Sequence, residues 1–185
     1  MGDLTYSAIC SLDGYVEDAS GGFEWAAPDE EVHAFVNEKE REVGTYLYGQ
    51  GMYETMAVWE TWDVDAEPAV IRDFAAIWRA ADKVVFSRTL SETSTERTRL
   101  ERELDPAAVR ALKDSSERDL GIGGATLAAS AIGAGLVDEI GLLLVPVLVG
   151  GGKAALPRGV HAQLELREQR AFRAGAIYLG YRVRR

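Results

Sequence analysis

The start of the chain has an alternating pattern, in which Leu4, Tyr6, Ala8 and Cys10 alternate with Thr5, Ser7 and Ile9. A period of two is typical of a strand with one buried face. We therefore predict a strand over residues 4–16, with a turn or bulge towards its end, because Asp13-Gly14 is a common turn dipeptide.

Further along the chain, apolar stripes at helical spacing follow residues that commonly open helices. Helices are predicted after Pro28-Asp29, where Gly44 is expected to end the helix, after Pro68, and from Asp105-Pro106 through Lys113. Short apolar runs predict strands over residues 45–49, 83–87 and 136–146, an edge strand over 98–100, and two antiparallel closing strands over 160–167 and 176–184. Residues 17–27 and 57–67 are expected to be irregular.

The composition is that of one globular domain spanning residues 1–185, with 47% hydrophobic residues. A formal net charge of -10 argues against a nucleic-acid or anionic-membrane surface, because both favour a basic face. The single cysteine, Cys10, permits no internal disulfide, and the N-terminus lacks a signal-peptide pattern. We therefore expect a cytoplasmic protein.

The stretch from Asp119 to Ala134 combines a short apolar run, the pair Gly123-Gly124 and an alanine-rich helical pattern. The first amides of a helix lack internal partners, and glycine lets a ligand approach the backbone closely, so this junction suits an anion. A tight turn without a ligand remains an alternative, since Thr126 stands where the dinucleotide fingerprint requires a third glycine.

Three other polar or glycine corners also follow predicted strands, at Gly14-Tyr15, at Gly49-Gln50 and at Ser87-Arg88-Thr89. Strands alternating with helices predict an α/β fold with a largely parallel sheet, whose ligands bind beyond the carboxyl ends of the strands. Four such corners at one edge of the sheet favour a dinucleotide site.

With these landmarks assembled, the chain resembles the dihydrofolate reductase superfamily, in particular the branch named for the reductase domain of bacterial riboflavin biosynthesis. The matching segments keep the family order: 11–15, Gly49 with Tyr53-Glu54, Ser87-Arg88, 123–127 and 146–152. The resemblance implies a dihydrofolate reductase-like three-layer sandwich with helices on both sides of the sheet and a C-terminal antiparallel hairpin. It also implies a homodimer, because relatives commonly dimerise, with the terminal strands and residues 142–149 as the pairing surface.

The resemblance further implies NADPH in an extended pose across the sheet edge. Its pyrophosphate would lie at Gly123 to Thr126, its 2′-phosphate near Ser87 and Arg88, and its nicotinamide beside the first strand. The residues expected to contact NADPH are Ile9, Gly14, Tyr15, Gly49, Gln50, Met52, Ser87, Arg88, Thr89, Gly123, Gly124, Ala125, Thr126 and Leu127. Many relatives carry arginine where this chain has Gln50, which leaves the preference for NADPH over NADH open.

Hydride transfer to a C=N or C=O group also requires a proton source. Asp13 is one candidate, with a turn residue that bonds its own backbone as the alternative. Glu30 is the other, because Trp25-x-x-Pro28-x-Glu30 loosely matches a pattern of true folate reductases; the alternative is an ordinary acid in the first turn of a helix. Trp25 and Trp62 are expected to line the substrate pocket. His33 is expected on a helix surface, and no cluster of histidine or cysteine suggests a metal.

We therefore expect an NADPH-dependent reductase that transfers a hydride to a small heterocyclic or conjugated substrate. One alternative is the ribosyl-pyrimidine reductase of riboflavin biosynthesis, although residues 13–35 contain no lysine or arginine to hold a sugar phosphate. A true dihydrofolate reductase is less favoured, because neither a clear carboxylate on the first helix nor an arginine for the glutamate tail is evident. A non-catalytic nucleotide- or drug-binding module on the same fold is the third alternative.

Overall fold

The computed structural model describes residues 1–184, which contain a large sheet and a small one. In chain order the strands are β1 (Leu4–Ser11), β2 (Tyr15–Asp18), β3 (Val43–Gly49), β4 (Asp82–Phe86), β5 (Thr98–Glu101), β6 (Asp119–Gly123), β7 (Glu139–Val145), β8 (Gly152–Ala154), β9 (Gln163–Ala171) and β10 (Ile177–Arg184). The large sheet has the order β5-β4-β3-β6-β1-β7-β10-β9, and β2 pairs with β8 separately.

The first six strands of the large sheet are parallel, and β10 pairs antiparallel with both β7 and β9. This confirms the predicted α/β class, the largely parallel sheet and the C-terminal antiparallel pair. Because the six strands share a direction, their carboxyl ends lie along one edge of the sheet, which is where open α/β sheets bind ligands.

Helices cover both faces of the sheet. They are α1 (Glu30–Glu40), α2 (Gln50–Met56), α3 (Val58–Thr61), α4 (Ala69–Ala80), α5 (Pro106–Ser115) and α6 (Ala125–Gly133), with a 3-10 turn over Glu24–Ala26. Helices α5 and α6 bury Val109, Ala128 and Ala131 against one face, whereas α1, α2 and α4 pack on the other. Within residues 1–184 no helix combines the length and the apolar character required to span a bilayer.

The predicted helix starts are confirmed, because each has a local cause. The Asp29 carboxylate accepts a hydrogen bond from the N–H of Val32 at 2.8 Å, and Asp105 accepts one from Ala107 at 2.9 Å. Each bond satisfies an amide that has no partner inside its helix. Pro68 stands at the N-cap of α4.

Several predicted boundaries are wrong, because tertiary contacts decide them. Helix α1 ends at Glu40, and Gly44 lies inside β3, where a Cβ atom would come within 2.9 Å of Arg118 Cβ. Strand β1 ends at Ser11, and Val16 belongs to β2. The stretch 57–67 contains the short helix α3.

His33 is buried, with only 9% of its surface exposed, and the prediction of a surface histidine is wrong. Its Nδ1 lies 3.1 Å from the Oδ1 of Asn37, and its ring meets Phe74 of α4 edge-on at 5.7 Å. The cause is the packing of α4 against α1.

A buried ion pair joins α5 to the amino ends of the central strands. Lys113 is paired with Asp138, and both side chains are almost fully buried. Lys113 Nζ also donates to the carbonyl of Leu136 at 2.8 Å, and Asp138 accepts from the N–H of Leu4 at 2.8 Å. This cluster lies at the edge opposite the strand ends discussed below and therefore has a structural role.

Candidate functional site

The four predicted corners follow four strands that are neighbours in the sheet. The order β4-β3-β6-β1 places the residues after Phe86, Gly49, Gly123 and Ser11 side by side. Neighbouring strands are about 4.8 Å apart, so the row extends over roughly 14 Å. An elongated ligand can therefore contact all four corners.

The junction of β6 and α6 consists of two glycines, and a different structural constraint favours glycine at each of them. Gly124 has φ 92° and caps α6 without a side-chain hydrogen bond. At Gly123 a Cβ atom would lie 2.6 Å from the Tyr48 ring and 3.1 Å from Met52 Cγ. Tyr48 and Met52 therefore pack closely against the backbone of Gly123. No side chain caps the first amides of α6. Those amides and the helix dipole favour an anion.

The start of α2 lies next to the start of α6. Gly49 caps α2, and a Cβ atom at Gly49 would lie 3.7 Å from the Cβ of Leu127, so α6 packs closely over the end of β3. Because α2 has only seven residues and α6 has nine, the start of α6 is the better formed of the two helix starts. Ala125 is buried at the start of α6, whereas Thr126 is exposed.

A hydrogen-bonded group joins the end of β4 to α2. The Oε1 of Gln50 accepts from the hydroxyls of Ser87 at 2.5 Å and Thr89 at 2.7 Å. The Nε2 of Gln50 donates to Glu54 at 2.8 Å. Ser87 Oγ in turn accepts from the N–H of Leu90 at 2.9 Å. The structure thus brings together three predicted site residues and adds Glu54, which the sequence analysis had used only as a family landmark.

Two arginines flank this group in different ways. The Arg88 side chain is 80% exposed, and its nearest described acid is Glu103 at 3.4 Å, itself 74% exposed. Surface pairs of this kind contribute little, and Arg88 is therefore an exposed charge that its protein contacts hold only weakly. Arg102, which the sequence analysis missed, donates from Nη1 to the carbonyls of Ser87 at 3.2 Å and Leu90 at 2.6 Å. It fixes the loop after β4.

The corner after β1 is a tight turn. Gly14 has φ 88°, and its N–H donates to the Ser11 carbonyl at 2.9 Å. The N–H of Tyr15 donates to Ser11 Oγ at 3.0 Å, and Ala155 donates to the Gly14 carbonyl at 2.9 Å. Gly14 and Tyr15 therefore have fixed positions beside the end of β1.

Asp13 connects this turn to the glycine-rich loop before β8. Its two carboxylate oxygens accept hydrogen bonds from the N–H groups of Val149 at 3.2 Å and Gly150 at 2.7 Å. The Ser11 hydroxyl, with these two N–H groups, holds the pKa of Asp13 below its usual value. The group is thus a carboxylate at neutral pH, and it links its own turn, through Ser11, to a loop that is distant in the chain.

The remaining predicted residues fall into two groups. Ile9 and Trp25 pack against the cluster that contains Phe35 and Val145, beneath α1, whose first residue is the exposed Glu30. Trp25 Nε1 is buried and has no hydrogen-bond partner within residues 1–184. Such unpaired buried donors are rare and call for a ligand or a structural explanation.

Trp62 lies in another place. Its ring packs on Trp59 with the centroids 5.1 Å apart, and its carbonyl accepts from Arg79 Nη2 at 2.7 Å. Trp59 in turn packs on Phe74 of α4. The described contacts of Trp62 are thus with α3 and α4, and those of Trp25 are with the cluster beneath α1.

The model of the RibD C-terminal domain family matches residues 3–178. The chain belongs to this family. The uncharacterized protein YyaP of Bacillus subtilis (strain 168) is 27% identical over 92% of this chain and 89% of its own length. A Shewanella sp. PV-4 protein, whose name assigns it provisionally to riboflavin biosynthesis, superposes over all of both chains with a TM-score of 0.76 and 18% identity. Acinetobacter baumannii RibD superposes over all of this chain and 58% of its own, with a TM-score of 0.73 and 17% identity.

These findings confirm the family and the fold expected from the sequence. The solved structures support the fold alone, since their identities to this chain are low. Membership in the family supports the reductase role that the sequence predicted. The family match does not identify this chain's site residues, so their roles stay predictions.

Proposed function

We propose that the protein is a reductase that uses a reduced nicotinamide dinucleotide, with NADPH as the cofactor implied by the family. Its substrate is a small heterocyclic or conjugated compound. The observation that carries this proposal is the row of four corners on neighbouring strands, with an uncapped helix start at its centre. The bound cofactor supplies the hydride, and the chain supplies binding, orientation and proton delivery.

The residues at α6 fit the diphosphate of a dinucleotide. Gly124 adopts a φ that favours glycine, and the first amides of α6 have no side-chain cap to compete with an anion. Strand β1 lies next to β6 on one side, and β3 and β4 follow on the other. The diphosphate at the centre therefore leaves about 5 Å to β1 and about 10 Å to β4 for the two halves of the ligand.

We assign the nicotinamide half to the β1 side, near Ile9, Gly14 and Tyr15. Support comes from Trp25, whose buried indole N–H has no partner among the residues that the structure describes and would suit an acceptor on the substrate. Asp13 acts as a positioning residue, because its carboxylate binds the Val149-Gly150 backbone. Glu30, exposed at the start of α1, is the candidate for proton delivery.

A phosphorylated ribosyl-pyrimidine is the second substrate candidate, since the family supports it. The basic residue on β8, beside β2, is Lys153, and it is paired with Glu17 at 2.5 Å. With no lysine or arginine in residues 13–35, few positive charges remain to hold a sugar phosphate. We therefore favour a substrate without a phosphate.

The test is a titration of the purified protein with NADPH, followed by tryptophan quenching. We expect saturable binding that is weaker in Gly124→Ala and unchanged in Gly133→Ala, a control at the far end of α6 whose Cβ meets no atom within 4 Å. Glu30→Gln should then lower turnover with little effect on NADPH affinity. Absence of dinucleotide binding by a protein with a folded circular-dichroism spectrum would overturn the proposal and favour the non-catalytic alternative.

We also propose that a second copy of the chain covers the outer face of β9 and β10. Leu164, Leu166 and Ile177 are 39%, 48% and 42% exposed. The strand register places them on one face of the sheet. Exposed apolar residues that share one face of a sheet are typical of an interface. Light scattering should show a dimer that Leu166→Glu dissociates and Val58→Glu, a change on the exposed surface of α3, does not; a monomeric native protein would refute this.

A further inference from the structure

The side chain of Gln50 is hydrogen-bonded to the polar side chains that follow β4. Its amide oxygen accepts from the hydroxyls of Ser87 and Thr89, and its amide nitrogen donates to Glu54. A hydroxyl carries only one proton. Both hydroxyl protons are therefore committed to Gln50. Ser87 Oγ also accepts from the N–H groups of Thr89 and Leu90, so what this pair still offers to a ligand is the acceptor capacity of Thr89 Oγ1.

Glu54 adds a negative charge to the same group. It is exposed on α2 one turn after Gln50, and its Oε1 accepts the hydrogen bond from the glutamine amide. A carboxylate only accepts hydrogen bonds, and it repels other anions. The group as a whole is thus rich in acceptors.

The two arginines nearby do not offset the negative charge and the acceptor oxygens of this group. Arg88 is 80% exposed, and its described acidic partner is Glu103. Arg102 directs Nη1 to two backbone carbonyls. Neither guanidinium is held by protein contacts in a position that would receive a phosphate in the forked manner that arginine favours.

The two forms of the dinucleotide differ only at the adenosine 2′ position, which carries a hydroxyl in NADH and a phosphate in NADPH. A hydroxyl donates to carboxylates and to acceptor oxygens, and an acidic residue beside the ribose is the usual feature of NAD sites. A phosphate requires donors and positive charge. The end of β4, about 10 Å from the diphosphate position, complements the hydroxyl.

We infer that Gln50 and Glu54 determine the cofactor preference of this chain, and that NADH binds at least as tightly as NADPH. The inference rests on the proposed function and refines only the cofactor named there. Gln50 acts by occupying the Ser87 and Thr89 hydroxyls, and Glu54 acts by its charge.

The experiment measures dissociation constants for NADH and NADPH with the wild type and with Gln50→Arg and Glu54→Gln. We expect Gln50→Arg to strengthen NADPH binding by about 10- to 100-fold, the effect of a charge-assisted hydrogen bond, while leaving NADH within about threefold. Glu54→Gln should strengthen NADPH binding by roughly three- to tenfold through loss of one charge. Gln169→Arg on β9 and Glu38→Gln on α1 make the same chemical changes at exposed positions elsewhere and should shift neither constant.

The outcomes separate this inference from the proposed function. A wild-type affinity for NADPH that is clearly higher than that for NADH, or a selective loss of NADPH binding in Arg88→Ala, would mean that the 2′-phosphate is bound after all and would overturn the inference alone. If neither dinucleotide binds the folded protein, the proposed function fails and the inference fails with it. Circular-dichroism melting of each variant verifies that the fold is intact.

Discussion

Replacing Gly124 by alanine perturbs the centre of the candidate site with the smallest possible side chain. Gly124 has φ 92° and ψ 118°, a region that other residues rarely adopt. Such a conformation costs a non-glycine residue on the order of 1–3 kcal/mol. The new Cβ would also lie 3.2 Å from Met52 Cβ, which is a tight contact. We therefore expect Gly124→Ala to lower the free energy of unfolding by about 2–3 kcal/mol.

For a chain of this length, each kcal/mol corresponds to about 2–4 °C in melting temperature, so Gly124→Ala should melt roughly 4–12 °C lower. Scanning calorimetry and urea unfolding give the two measurements. Gly133→Ala is the matched control, because it lies in the same helix, without a positive φ, and its Cβ would meet no atom within 4 Å. The control should be neutral or stabilising by up to about 1 kcal/mol. If Gly124→Ala melts no lower than Gly133→Ala, the reasoning from backbone strain is refuted.

Three further predictions concern other parts of the molecule. Lys113→Met should lower the free energy of urea unfolding by about 3–5 kcal/mol, because it removes the cation that is buried against Asp138; a loss below about 1 kcal/mol would contradict the structural role of the pair. Burial raises the pKa of Cys10 to about 11, so a thiol reagent at pH 8 should react only after denaturation, and rapid labelling of the folded protein would contradict this. The pKa of Asp13 is lowered in the folded state, so its contribution to stability is present above the unfolded pKa of about 4 and is lost as the pH falls through the folded value. Unfolding free energies measured between pH 7 and pH 3 should therefore decline less steeply in Asp13→Asn than in the wild type, and identical slopes would contradict the prediction.

Parts of the fold that depend on local signals are predictable from the sequence. Asp105 and Pro106 start α5 because the carboxylate satisfies a free amide and proline suits the first turn. The Gly123-Gly124 junction is equally local, since a strand pattern, two glycines and a helix pattern follow one another directly. The carboxyl-end rule then places the four corners together without further information.

Features that depend on neighbours distant in the chain were not predictable. Gly44 lies in β3 at a position where Arg118 packs closely against it, and His33 is buried because α4 covers it. Lys83 is almost fully buried, with its Nζ 4.1 Å from the centre of the Trp78 ring, and burial lowers its pKa. Nothing in the pattern around residue 83 distinguishes such a lysine from an exposed one. The hydrogen bonds of Gln50 were not predictable for the same reason, since its partners Ser87 and Thr89 lie 37 and 39 positions away in the chain.

The candidate site therefore contains residues that the packing of the fold requires, such as Gly123, and residues that it does not require, such as Glu54. Gly123 is in tight contact with Tyr48 and Met52, so a change there alters packing and binding together. Glu54 is exposed on α2, and its described hydrogen bond is with Gln50 on the same helix, a contact worth a few tenths of a kcal/mol. The charge at that position can therefore change with little effect on stability while it alters the electrostatics of the adenosine side. For this reason cofactor preference cannot be inferred from the fold, and the side chains at the start of α2 must be read individually.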